Sequence, residues 1–208
     1  MIIEGRTGEV TAANGSKNPV RLDKSGALII AQGHPAIAEA SERGAVFAGS
    51  TAVAGVAPGT VLSTTPPMCL LNPLNSGKNL AIIATDIGYV SGTLGAGSIV
   101  YAYVSPQSTI PAGGTELTPV NAKLSTVRGI GRIFQGSTLA STPLIVRPAY
   151  VLGAALATTV LGISQPKDLI DGAFIIPPAT CFIMQGVAAA GTTPLVMMSI
   201  TWEEIPLV

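Results

Sequence analysis

The sequence contains one histidine, His34, and this limits the catalytic chemistry that the chain could perform. A Ser-His-Asp or Cys-His site would need this residue as its general base. A cupin-type metal site would need several histidines and a glutamate, which a single histidine cannot supply. His34 lies in the turn Gly33-His34-Pro35, ahead of the predicted core strands. We therefore expect His34 on a surface or at an interface and not in a catalytic site.

Paired carboxylates are the next chemistry to consider, because a glycosidase places two acids across one cleft. Glu203 and Glu204 are neighbours in a predicted strand, where successive side chains point to opposite faces. Asp168 and Asp171 flank a Leu-Ile pair and are typical of a turn. Neither pair faces a common cleft in this interpretation, so we expect no enzyme.

Two glycine-rich segments could hold an anion. Residues 92–97 read GTLGAG, but neither the lysine nor the helix that follows a phosphate loop is present. Arg128 and Arg132 flank Gly129-Ile130-Gly131 and would lie on one strand face, where a small anion or a partner carboxylate could bind. The alternative is that both arginines are solvated charges. We expect neither a cofactor nor a metal.

The composition points to large buried interfaces. Charged residues make up 11% of the 208 residues, hydrophobic residues 48%, and the mean hydropathy is +0.54. A freely soluble monomer normally carries more surface charge than this, whereas stable interfaces are depleted in charge. We therefore expect a homo-oligomer, a dimer or a trimer. The 11 basic and 11 acidic residues give a net charge of zero, so we expect no nucleic-acid partner.

Three features bear on the cellular compartment. Cys69 and Cys181 lie in apolar stretches and are expected to be buried free thiols, although their spacing alone does not exclude a disulfide. The uncharged segment Pro148–Pro166 is interrupted by glycine and threonine, and its apolar part is shorter than a membrane-spanning helix requires. The first residues lack the pattern of a signal peptide. We expect synthesis in a cytoplasm and no membrane partner.

Apolar residues recur with a period of two between clusters of Gly, Pro, Asn and Ser, which indicates β-strands. In the last segment, Val196, Met198, Ile200 and Trp202 alternate with more polar residues, which is typical of a half-buried antiparallel strand. Residues 189–194 fit a hairpin loop. Strands are predicted at 60–64, 68–71, 79–90, 97–104, 123–134, 144–161 (broken), 172–176, 181–188 and 195–205.

These elements predict an all-β protein, a jelly-roll-like antiparallel sandwich of about eight strands. Many of the charged residues lie before residue 45, where the turn signals are also dense. We therefore predict an extended N-terminal arm over residues 1–48 and a sandwich over 49–208. Within the arm, Pro35 and Gly44 suit the start and end of a short helix.

Three local patterns carry a resemblance. They are Val20–Leu28 (VRLDKSGAL), Arg43–Ala48 (RGAVFA) with Leu70–Leu80 (LLNPLNSGKNL), and Gly191–Pro194 (GTTP) with Ser199–Pro206 (SITWEEIP). Together they resemble the jelly-roll virion proteins of tailed bacteriophages, of the head decoration or cement type. The resemblance implies a place on the capsid exterior, the major capsid protein as partner, and no catalytic residues.

Two other functions stay open at this point. One is a receptor- or carbohydrate-binding module of a phage tail or fibre, for which Tyr101 and Tyr103 share a strand face and could form a platform. The other is a structural protein of a cellular shell. The candidate interface residues are Arg21, Asp23, His34, Arg43, Phe47, Tyr101 and Tyr103.

Overall fold

The computed structural model describes residues 37–152, 167–188 and 191–207. The chain divides into two compact units, Met1–Glu39 and Ala40–Val208, and nearly all described residues belong to the second. Among the described residues, one short helix, α1 (Ala38–Glu42), precedes twelve strands. The strands are β1 (Val46–Ser50), β2 (Met68–Asn72), β3 (Lys78–Thr93), β4 (Gly97–Val104), β5 (Thr115–Leu117), β6 (Val120–Asn121), β7 (Arg132–Gln135), β8 (Leu144–Leu152), β9 (Lys167–Leu169), β10 (Ile175–Ile176), β11 (Thr180–Ala188) and β12 (Thr192–Pro206).

The long strands pair as nested antiparallel partners. β4 pairs with β8, β3 with β9 and β10, β2 with β11, and β1 with β12. The first sheet has the order β10-β3-β12-β1-β6 with β9 also on β3, and the second has the order β5-β7-β2-β11-β4-β8. A long hairpin rolled into two sheets has this nesting, so the predicted jelly-roll sandwich is confirmed. Because β9 and β10 share one position, eight positions form the roll and β5, β6 and β7 are additions.

The core lies between the two sheets, as the period of two predicts. Val196, Met198, Ile200 and Trp202 of β12 are all buried and face inward. The Trp202 ring stacks on Phe47 of β1 with ring centroids 6.0 Å apart. Burial of large apolar side chains on this scale supplies most of the stabilisation of such a domain.

The second sheet is also covered on its outer face. Cys69 of β2 and Cys181 of β11 lie there in a second apolar cluster, together with Phe134 and Leu139 from the chain between β4 and β8. Both cysteines are free and buried, which confirms the predicted thiols. Burial, and secondarily the neighbouring Cys69, raise the pKa of the Cys181 thiol well above its usual range.

Several sequence predictions need correction. The boundary predicted at residue 48 falls inside β1, which lies between β12 and β6, so residues 46–48 belong to the sandwich. The segment before them, residues 1–36, lies outside the described residues. Residues 60–64 form no strand, and the strand predicted over 123–134 shortens to β7. The predicted hairpin is wrong, because β11 and β12 belong to different sheets.

A buried carboxylate fixes one long connection to the first sheet. Glu204 of β12 is buried and accepts hydrogen bonds from the backbone N–H groups of Ile130 (2.6 Å) and Gly131 (2.9 Å). Its other oxygen forms an ion pair with Lys78 Nζ at 2.8 Å. These bonds hold the segment before β7 against the end of the sheet. The neighbouring Glu203 lies on the opposite face, as predicted, and its carboxylate is 3.7 Å from Arg43 at the surface.

We expect Glu204→Gln to lower the free energy of unfolding by about 3 kcal/mol, because the ion pair loses its anion and the amide NH2 group must face either the Lys78 ammonium or the two backbone N–H groups, which are all donors. Glu203→Gln is the matched control and should cost less than about 1 kcal/mol. Urea unfolding followed by tryptophan fluorescence measures both variants. Equal losses would show that the Glu204 carboxylate does not hold this connection.

Candidate interaction site

One side of the sandwich brings an edge strand of each sheet together. β8 ends the second sheet, and β9 and β10 lie at the edge of the first. Arg147 of β8 donates to Asp168 of β9 over a distance of 2.6 Å, so the two edges are linked by an ion pair. We call this region, formed by the residues of β8, β9 and β10, the β8–β10 side.

A network of hydroxyl groups lies behind this ion pair. The Tyr101 hydroxyl donates to Asp168 Oδ2 at 2.9 Å, and the Tyr150 hydroxyl donates to the Thr85 carbonyl at 2.7 Å. The Thr85 hydroxyl contacts both tyrosine hydroxyls. Burial raises the pKa of Tyr101, which keeps it a neutral donor. Because each of these groups has a partner inside the protein, the network links four strands and offers no free acid or base.

A cleft of about 350 Å³ opens beside this network. Its apolar lining includes Tyr103, Val146, Phe174 and Phe182. Ser105 and Thr180 also line it, and the Thr180 hydroxyl donates to Ser105 Oγ at 3.1 Å. Ligand pockets begin at about this volume and combine apolar walls with a few polar groups. The other lining residues are Ala173, Ile175, Ile176 and Pro177.

A second groove, of about 600 Å³, runs along the loop after β1. Its two glutamines are already engaged. Gln135 accepts a hydrogen bond from the Ala52 N–H at 2.9 Å, and Gln185 donates to the Val61 carbonyl at 2.7 Å. These hydrogen bonds hold the loop in place. They leave the two glutamine side chains with fewer polar atoms that could bind a ligand.

The predicted interface residues lie in different environments. Tyr103 is 37% exposed and lines the cleft, whereas Tyr101 on the same strand face is 0% exposed. Phe47 is buried against Trp202. The interface predictions for Tyr101 and Phe47 are therefore wrong, because both side chains lie in the core between the sheets. A glycan platform of two tyrosines cannot form from them.

The structure describes only some of the charged residues that were predicted to bind a partner. Arg43 lies at the surface beside Glu203. Arg21, Asp23 and His34 lie outside the described residues. Arg132 forms a bidentate pair with Glu116 at 2.6 and 2.7 Å, which lowers the pKa of the Glu116 carboxyl. Arg128 lies in a loop and not on a strand, so the predicted pair of arginines on one strand face is wrong.

The sequence interpretation missed the apolar surface of the β8–β10 side. Leu144, Ile145 and Val146 are consecutive and all exposed, as are Leu169 and Ile175. A run of three exposed apolar residues is unusual at a surface, and this run was the feature of the sequence that could have indicated the site. The run belongs to the strand predicted over 144–161, of which the part beyond residue 152 lies outside the described residues.

Within residues 37–152, 167–188 and 191–207, no group of three or more His, Cys, Asp and Glu side chains is placed to hold a metal ion. In that same part of the chain, no helix has the length and apolar character needed to cross a bilayer.

No protein-family model, curated protein or solved structure compared with this chain gave a match. Its function has therefore to be inferred from its own residues and fold.

We expect Tyr101→Phe to lower the free energy of unfolding by about 1–3 kcal/mol, since Thr85 and Asp168 each lose a buried hydroxyl partner. Tyr103→Phe is the control on the same strand and should change it by less than about 0.5 kcal/mol. Urea unfolding of both variants measures the difference. A neutral Tyr101→Phe would mean that the network is not part of the stabilising core.

Proposed function

We propose that this chain is a non-enzymatic structural protein of a phage virion that binds the capsid exterior and stabilises it. Its partner would be the major capsid protein, and its working form a homo-oligomer. The observation that carries the proposal is the exposed apolar surface of the β8–β10 side on a jelly-roll domain with 11% charged residues. Scattered exposed apolar residues are normal, but a grouped set favours a protein partner.

The hydrogen-bond networks agree with a structural role. Arg147 and Asp168, the charged groups of the network beside the cleft, form an ion pair with each other, and Asp168 also accepts from Tyr101. A catalytic acid or base must be available to a substrate proton. A residue whose partners all lie within the protein instead makes the fold rigid, which suits a protein that reinforces a shell.

The N-terminal arm is the second part of the proposal. Residues 1–36 precede α1 and would span at most about 130 Å if extended. A segment that orders on binding can cover a large surface of a partner. We therefore propose that Arg21, Asp23 and His34 of the arm contact a neighbouring subunit or the capsid.

Removal of residues 2–36 tests the arm. We expect at least a tenfold loss in affinity for capsids that lack their decoration, measured by cosedimentation, because much of the contact area is lost. The midpoint of thermal unfolding should change by no more than a few degrees. Lys123→Ala, which removes an exposed ion pair with Glu42, is the control and should bind like the parent. Unchanged binding of the truncated chain would remove the arm from the proposal.

The cleft favours one alternative function, a carbohydrate- or receptor-binding module of a tail or fibre. Tyr103 is partly exposed there beside the hydroxyls of Ser105 and Thr180. An aromatic face beside polar groups suits a sugar ring, which is apolar on one side and carries hydroxyls around its edge.

A glycan array tests this alternative with Tyr103→Ala. If the cleft binds sugar, we expect a signal from the parent chain that falls at least tenfold in the variant, because the stacking surface is lost. Val53→Ala, at a position 86% exposed in the loop after β1, should leave the signal unchanged. An array without signal from the parent would contradict the alternative and leave the virion role as the proposal.

A further inference from the structure

We propose that Cys69 and Cys181 form an internal redox lock, in which a low-molecular-weight disulfide such as oxidised glutathione converts the two thiols into one disulfide bond between β2 and β11. The inference goes beyond the proposed function and does not depend on it. It gives a role to two buried nucleophilic side chains that neither the cleft nor the hydroxyl network uses.

The strand register places the two cysteines on the same face of neighbouring strands. Cys181 stands opposite Leu71 in the ladder between β2 and β11. Cys69 stands opposite Ile183, two positions along each strand. Because side chains two positions apart point the same way, the two cysteines are diagonal neighbours on one face. β2 and β11 are the two middle strands of the second sheet, so the bond would join the sheet at its centre.

The two thiols are already in contact, because a hydrogen bond joins the side chains of Cys69 and Cys181. Diagonal neighbours in an antiparallel ladder have Cα atoms about 7–8 Å apart, and a disulfide needs them within about 7 Å. The twist of a sheet shortens one of the two diagonals, and the hydrogen bond shows that it is this one. A shift of about 1 Å between the strands would then close the bond.

The surroundings of the thiols favour a neutral product. Cys69 is 1% and Cys181 is 0% exposed, and both pack with Phe134 and Leu139. Burial raises the pKa of the Cys181 thiol, so little thiolate is present and exchange is slow. A disulfide carries no charge and keeps the apolar packing, whereas a thiolate in this cluster would have no solvent around it.

Two segments cover the cysteines and control access to them. Leu62, in the loop after β1, is partly exposed and packs against the cysteine cluster. The Leu139 N–H donates to the Thr64 carbonyl at 2.7 Å, so the two covering segments are tied to each other. A reagent would reach the sulfurs when the segment around Leu62 opens, and the frequency of this local opening would set the rate of oxidation.

The exchange is balanced in thiols and disulfides. The thiolate of one cysteine attacks a sulfur of oxidised glutathione, which gives a mixed disulfide and releases one glutathione thiolate that takes up a proton. The second cysteine then attacks the protein sulfur of the mixed disulfide and releases the second glutathione. The protein loses two hydrogens, and one oxidised glutathione becomes two molecules of reduced glutathione.

The bond would stabilise the folded chain, because the ring that it closes between residues 69 and 181 restricts the unfolded state. Glutathione keeps thiols reduced in a cytoplasm, whereas the surface of a virion meets oxidising surroundings. If the chain is the virion protein proposed above, the lock would form after release from the host cell.

Oxidation of the folded, full-length chain tests the lock. The reduced protein is incubated with oxidised glutathione in the absence of denaturant, and mass spectrometry after alkylation of free thiols identifies the product. We expect the loss of two hydrogens and a cross-linked peptide pair containing Cys69 and Cys181. The midpoint of thermal unfolding should rise by at least about 5 °C and return to its starting value after reduction with dithiothreitol.

Three variants give the controls, with circular dichroism to check that each is folded. Cys181→Ala lacks one thiol, so oxidised glutathione should not raise its midpoint of unfolding. Leu62→Ala should raise the rate of cross-linking at least about threefold, because the cover opens more often. Val53→Ala, at an exposed position in the same loop, should leave the rate unchanged.

Three outcomes would overturn the proposal. They are a cross-link that forms only after unfolding in urea, a product that carries glutathione or a second chain on single cysteines, and an oxidised chain whose midpoint of unfolding is unchanged. An equal rate in Leu62→Ala and the parent would show that this segment does not control access. Because the assay contains no capsids, its failure would leave the proposed function as it stands.

Discussion

Strand β12 must lie between β3 and β1, and the rest of the sandwich depends on this placement. It pairs with both β1 and β3 in the first sheet, and its inward side chains fill the core between the two sheets. Its Glu204 also holds the segment before β7. Because β1 and β12 lie at opposite ends of the sandwich sequence, the roll closes through contacts of long sequence separation. Folds of this kind are slow to form.

Much of this architecture could be predicted from local patterns. The alternation in β12 and the limits of β4 followed from apolar spacing and from the glycines and prolines at the strand ends. The wrong hairpin has a physical reason, because the turn residues before Pro194 suit a connection between two sheets as well as a turn within one. Turn chemistry fixes where a strand ends, whereas the choice of partner depends on strands far away in sequence.

The burial of the residues at the candidate site could not be predicted from local patterns. A spacing of two placed Tyr101 and Tyr103 on one face, which is correct, but it gave no information on depth. Depth is decided by Phe174 and Phe182, which pack on Tyr101 with ring centroids 5.9 and 5.3 Å away. Tyr103 stands nearer the mouth of the cleft that these rings help to form. Phe174, which precedes β10, and Phe182 of β11 are both distant from Tyr101 in the sequence, and their rings make Tyr101 a core residue while Tyr103 stays partly exposed.

The distribution of charge explains why so few ionic groups suffice for this fold. Lys78 with Glu204 and Arg147 with Asp168 are pairs that join different strands. Such pairs specify how elements meet and leave little net field at the surface. The association that we propose would therefore depend mainly on apolar area, which the exposed side chains of Leu144, Ile145 and Val146 supply on the β8–β10 side.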